Sequence, residues 1–175
     1  MDEQSPQQPQ QPDQSLEQTV SHAATTDDTA NSAQKQLRIL GIHHITAICA
    51  NQQRTIGFYR DVLGMSLVKQ TVNFDDPDAT HLYFADAAGN PGTVITFFEY
   101  PTMEPGQVGV GSTHHFALRV GSLEELAGWR DYLRGREIQC TEIMDRKYFQ
   151  SIYLNDPDGH IVEIATDGPG FFIAE

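Results

Sequence analysis

Apolar and polar positions change their period several times along this chain. Residues 37–165 read as short alternating runs separated by turn chemistry, with two stretches of helical period among them. The strand-like runs are Ser66–Val72, Thr80–Ala85 and Thr93–Tyr100, then Ile138–Met144, Tyr148–Leu154 and His160–Ala165. Two more runs open on paired histidines, Gly41–Ile48 and Ser112–Val120. Helices are expected over Asn51–Leu63 and Ser122–Arg134. In the second, Leu123, Leu126, Ala127, Trp129 or Arg130, and Leu133 form an apolar face, Ser122 with Glu125 forms a capping box, and Gly64 and Gly135 stand where each helix should stop. Turns fall at Asp75–Asp78, Ala88–Gly92 and Asn155–Gly159.

These elements repeat. With His44 set over His115, an offset of 71, Gly57 falls on Gly128, Phe58 on Trp129 and Gly64 on Gly135. Each half reads β-α-β-β-β, and a twofold repeat of that unit brings two four-stranded sheets around a shared cleft. The expected class is α+β, with mixed or antiparallel sheets curled into an open half-barrel. Module one should span 38–100, a Gly-rich linker 101–111, and module two 112–168 of a domain covering 37–175. Residues 1–36 are rich in Gln, Pro, Ser, Thr and Asp, with Leu16 and Val20 nearly alone as large apolar residues. That composition predicts a disordered tail, and it has neither a signal-peptide core nor an Arg-rich import pattern.

Charge narrows the partners. The net charge is −13 with no basic stripe, which argues against nucleic acid, and no run approaches the roughly 18 apolar residues of a membrane span. The two cysteines lack metal-ligand spacing, Cys49 reads as a core thiol, and a cytoplasmic setting is expected.

Strand parity sorts the candidate chemistry. His44, Thr46 and Ile48 share one face of their strand, while Ile45, Ala47 and Cys49 make an apolar opposite face. His44 is therefore expected in the cleft, and His115 is its counterpart by the repeat. On the last strand Glu163 shares a face with Ile161 and Ala165, and a carboxylate among apolar residues needs a partner. Aligning Gly92 with Gly159 puts Thr96 at the position of Glu163, so one module offers one ligand and the other two. Two imidazoles and one carboxylate match the facial arrangement of non-haem Fe(II) sites. Tyr153, on the face of Phe149 and Ser151, and Arg146 are candidates to handle a proton and an anionic charge. His81 and Tyr83 are candidates to line the same cleft. His22 lies in the tail, and His160 is expected to be exposed.

The segments Gly41–Ile48, Phe58–Met65, Leu67–Pro77, Pro91–Phe98, His114–Val120, Asp145–Tyr153 and Glu163–Phe171 resemble the vicinal oxygen chelate superfamily, which includes glyoxalase I, extradiol dioxygenases and bleomycin-resistance proteins. They are most similar to its hydroquinone-type ring-cleaving dioxygenases. The resemblance implies Fe(II) held by His44, His115 and Glu163, with His43, Thr46, His114, Arg146 and Tyr153 around it. It also implies a small aromatic substrate and dioxygen. Strand parity argues against His43 and His114 facing the ion. Members of that type carry four modules where this chain carries two, and a homodimer would restore four. Two alternatives share the scaffold. One is a glyoxalase-like lyase or isomerase using Zn(II), Ni(II) or Mn(II); the other is a protein that sequesters small molecules.

Overall fold

The computed structural model describes residues 37–173, of which residues 41–173 belong to one compact unit. The expectation of a disordered segment over 1–36, His22 included, lies outside the described residues. The elements are β1 (His44–Cys49), α1 (Gln52–Ile56), which continues as a π-helical stretch over Gly57–Val62, β2 (Ser66–Val72), β3 (Thr80–Ala85) and β4 (Val94–Glu99). The second half adds β5 (Phe116–Val120), α2 (Leu123–Gly135), β6 (Met144–Asp145), β7 (Gln150–Asn155) and β8 (Ile161–Thr166). The sheet orders are β1-β4-β3-β2 and β5-β8-β7-β6, with β1 parallel to β4, β5 parallel to β8, and the other pairs antiparallel. Each half is thus β-α-β-β-β in a mixed open sheet, as the repeat predicts. Among the described residues no helix is long and apolar enough to cross a membrane.

Local chemistry starts each helix. The side chain of Asn51 accepts from the Arg54 amide at 3.0 Å and that of Ser122 from the Glu125 amide at 3.1 Å. The Glu125 carboxylate reaches back to the amide of Gly121 at 2.7 Å rather than that of Ser122, so the expected box closes one residue earlier. Gly64, at φ +73°, ends the first helix, but Gly135 lies inside α2 and Glu137 takes the left-handed conformation at φ 60°. The expected strand Ile138–Met144 is also shorter. It shrinks to a bridge between Cys140 and Leu154 and the two residues of β6. The Thr141 hydroxyl accepts from the Tyr153 amide at 3.1 Å, replacing a backbone carbonyl and breaking the ladder.

One face of each sheet supplies the core. Cys49, Leu82, Phe84, Ile95 and Phe97 of the first sheet join Phe116, Ile152, Leu154, Val162 and Ile164 of the second, with Ile56, Tyr59, Leu126 and Leu133 from the helices. Cys49 is a buried free thiol, and its burial raises its pKa. Polar contacts fasten the halves through these inner elements. Tyr59, fully buried, donates to Asp156 Oδ2 at 3.0 Å, Arg54 pairs with Asp158 at 2.6 Å, and Tyr132 donates to the carbonyl of Val62 at 3.2 Å. Asp156 also accepts from the amides of Asp158 and His160 and from the His160 ring at 3.0 Å. His160 is therefore not the exposed turn residue expected. Its side chain is 31% exposed and its ring packs 5.9 Å from that of Phe97.

This network has a pH signature. The Asp156 hydrogen bond raises the pKa of His160 against the opposing effect of burial, and the charges of Asp156 and Asp158 add to the rise. Burial pushes the Asp156 carboxyl up, but the His160 hydrogen bond and charge, with the Tyr59 hydroxyl, bring it below its ordinary value. The His160 contribution is full below 6.5 and is lost as pH climbs through the raised value; the Asp156 contribution is full above 3.8 and is lost as pH falls through the lowered one. Wild type should therefore lose more stability than His160→Gln between pH 6 and pH 8.5 in urea titrations, and parallel pH profiles would contradict this. Tyr59→Phe should cost about 1.5–3 kcal/mol, the range for hydrogen bonds to charged groups, as read by the same titration at pH 5.

Candidate metal centre

The outer faces of the two sheets, opposite the core, carry the expected site residues. On the second sheet, β8 presents Glu163 between Ala117 of β5 and Tyr153 of β7, its ladder neighbours. The Glu163 side chain is 2% exposed. Tyr153 donates to its Oε1 at 2.6 Å, and the Nε2 of His115 lies 2.9 Å from Oε2. Arg146 approaches from the turn after β6: its Nε donates to the Tyr153 hydroxyl at 3.2 Å, and its guanidinium lies 5.1 Å from the ring centroid. Four of the candidates, His115, Glu163, Tyr153 and Arg146, thus form one connected cluster.

The neighbouring histidine has a role that strand parity alone does not reveal. His114 Nδ1 and His115 Nδ1 are 2.9 Å apart with the rings edge to face, and His43 and His44 repeat the contact at 3.0 Å. In each pair one Nδ1 carries the proton and the other accepts it. When His115 is the donor, its Nε2 lone pair faces Glu163 Oε2, and a cation held between them would satisfy both; with no cation there, Nε2 carries the proton and donates to that oxygen. His43 and His114 therefore meet the neighbouring imidazoles at Nδ1.

The separation of the two donors on the second sheet would let both bind one divalent ion. Two ligands bound at about 2.1 Å and at right angles stand about 3.0 Å apart, close to the observed 2.9 Å between His115 and Glu163. A carboxylate oxygen and an imidazole nitrogen suit a divalent transition metal. His44 does not complete the set within one chain. Among the described residues no three His, Cys, Asp or Glu side chains are grouped to hold a metal.

The first sheet carries a variant of the same layout. Thr96, fully buried, takes the place of Glu163 and donates to Thr46 at 2.9 Å. Tyr83 opposes Thr96 as Tyr153 opposes Glu163, and Lys69 Nζ lies 5.9 Å from its ring as Arg146 lies over Tyr153. The Tyr83 hydroxyl is 2.9 Å from His81 Nδ1. Sequence reasoning missed the four-point seat around Asp156. The signal was available: Asp156-Pro157-Asp158-Gly159-His160 matches Asp86-Ala87-Ala88-Gly89-Asn90, where Asp86 likewise collects the Ala88 and Asn90 amides.

Two open βαβββ sheets with imidazole and carboxylate side chains on their outer faces define the class of scaffold. The chain belongs to the Glyoxalase/Bleomycin resistance protein/Dioxygenase superfamily, whose model matches residues 41–164. It is 41% identical over 135 residues to MhqO of Bacillus subtilis (strain 168), by name a candidate ring-cleaving dioxygenase, covering 76% of this chain and 42% of that one. It is 30% identical over 138 residues to a chlorohydroquinone/hydroquinone 1,2-dioxygenase of Sphingobium indicum, covering 75% and 42%. A crystal structure of a candidate dioxygenase from Bacillus subtilis superposes with a TM-score of 0.68 at 41% identity, covering 73% of this chain and 40% of that one. The chain therefore spans about two fifths of the length of these relatives.

Removing the phenol that caps Glu163 should leave a buried carboxylate oxygen short of a donor. Tyr153→Phe is expected to lower the stability of the metal-free protein by about 1.5–3 kcal/mol in urea titration, and an unshifted midpoint would show that the contact contributes nothing.

Proposed function

We propose that this chain is an Fe(II)-dependent ring-cleaving dioxygenase acting on a hydroquinone- or catechol-like aromatic. In this reading His115 and Glu163 of one chain and His44 of a second hold the ion in a homodimer. The observation that carries it is the pair His115 Nε2 and Glu163 Oε2, 2.9 Å apart on the outer face of one sheet, with His44 on the outer face of the other. Both faces remain open in a single chain: Ile48, in the row of His44, is 44% exposed and Met144, beside Arg146, is 38% exposed. A second copy that sets its first sheet against this second sheet covers both and supplies the missing imidazole. The names of the relatives support the reaction class. Thr96, where a second carboxylate would stand, favours this reading over a lyase or isomerase.

Fe(II), when bound, supplies Lewis acidity toward a phenol and an electron path from ring to dioxygen. The protein's own residues do the rest. Tyr153 holds a proton between its oxygen and Glu163 Oε1, so it is placed to exchange one with a substrate hydroxyl. Arg146, bonded to that phenol, offsets negative charge that develops on the ring oxygens. His43 and His114 hold the imidazoles of their neighbours at Nδ1, and Thr46, bonded to Thr96, keeps the floor beside His44 polar.

Two measurements test this. Glu163→Ala should bind no stoichiometric Fe(II) and show no oxygen uptake with hydroquinones or catechols; retention of both would defeat the assignment. Co-expressed His44→Ala and Glu163→Ala chains should recover about one quarter of wild-type turnover, because random pairing leaves one intact site in half the dimers. A mixture as inactive as either variant alone would overturn the shared site.

A further inference from the structure

The first sheet holds a phenol–imidazole pair that the proposed reaction leaves unused. His81 is 8% exposed, and its ring lies between Tyr83 and Phe98, with centroids 4.0 and 4.1 Å away. Its Nδ1 meets the Tyr83 hydroxyl at 2.9 Å, while its buried Nε2 has no hydrogen-bond partner among the described residues. Burial depresses the pKa of His81, and nearby His44 and Lys69 depress it further, so the ring is neutral and carries one proton. Placing that proton on Nε2 would bury an unpaired N–H donor, which folded proteins avoid more strictly than an unpaired acceptor. The favoured tautomer therefore carries it on Nδ1 and donates to Tyr83. The phenol's own hydrogen is then left to point elsewhere.

Tyr153 has no such freedom, because its hydrogen is committed to Glu163. Tyr83 has lost the equivalent acceptor, since Thr96 stands there and its hydroxyl is turned to Thr46. The residues Thr46, Thr96, Tyr83 and Lys69 lie in register across β1, β4, β3 and β2. Tyr83 thus stands two strands from the strand of His44, about 10 Å across the sheet at ordinary strand spacing. That separation suits the far end of a six-membered ring whose near oxygen lies at the histidines.

We propose that Tyr83 donates a hydrogen bond to the second, para-placed oxygen of a dihydroxylated aromatic ring, that His81 is the positioning residue that frees and aims its hydroxyl, and that the pair selects hydroquinones over phenols with one oxygen. The proposal rests on the reading of the site given above. It involves no bond making or breaking: Tyr83 keeps its proton and His81 stays neutral.

The test is anaerobic calorimetry of the Fe(II)-loaded protein with hydroquinone, catechol and phenol. Wild type should bind hydroquinone about tenfold more tightly than phenol, the scale of one added hydrogen bond. Tyr83→Phe should abolish that preference while leaving the phenol affinity unchanged. His81→Leu should weaken hydroquinone by the same factor, and the double variant should add nothing further, since the two residues act through one hydrogen bond. His81→Asn, which keeps a donor near the phenol, should restore part of the preference. A tenfold preference that survives Tyr83→Phe with hydroquinone turnover intact overturns this assignment alone, as does a catechol affinity that falls in step with that of hydroquinone. Failure of the wild type to bind any of the three overturns it together with the proposed reaction.

Discussion

The second sheet is organised around one carboxylate taken out of water. Glu163 sits mid-strand with its side chain almost wholly covered, and an acid there costs free energy unless its oxygens are engaged. The fold engages one with Tyr153 and places the Nε2 of His115 against the other. Arg146 and His114 in turn fix those two groups. Strand register makes this possible: Glu163 is opposed by Tyr153 on one side and Ala117 on the other, and a slip of one residue would turn all of them toward the core.

The first half shows what the same frame does without that acid. Thr96 replaces Glu163, two hydroxyls satisfy each other at the floor, and Tyr83 turns to His81. Each sheet still sets a cation beside a tyrosine, Lys69 in one and Arg146 in the other. Duplication thus preserves the geometry and divides the side-chain types, with one sheet bearing the buried acid and the other a polar row without one.

A separate network holds the halves together. Asp156 collects two backbone amides, an imidazole and the Tyr59 hydroxyl at the start of the β7–β8 turn, and Gly159 makes that turn possible at φ +91°. Burial and the Asp156 charge hold the Tyr59 hydroxyl protonated well above the ordinary tyrosine range. The joint lies among the inner faces and loops, so it leaves the outer faces uncovered.

Much of this was legible in the chain itself. Period-2 and period-3.6 patterns place most elements within a residue or two, because side-chain alternation and helical spacing are local properties. The repeat assigns His44, His115, Glu163 and Thr96 to equivalent faces, and Asn51 and Ser122 mark the helix starts. What the sequence left open depended on partners distant in the chain. The Thr141 hydroxyl shortens β6, Glu137 rather than Gly135 turns left-handed, and Asp156 draws His160 inward. The histidine pairs meet at Nδ1, and only two of the three expected ligands meet in one chain. Composition and period report which face a side chain occupies; which groups come within 3 Å of one another is decided by how the sheets and turns pack, and that is a property of the assembled fold alone.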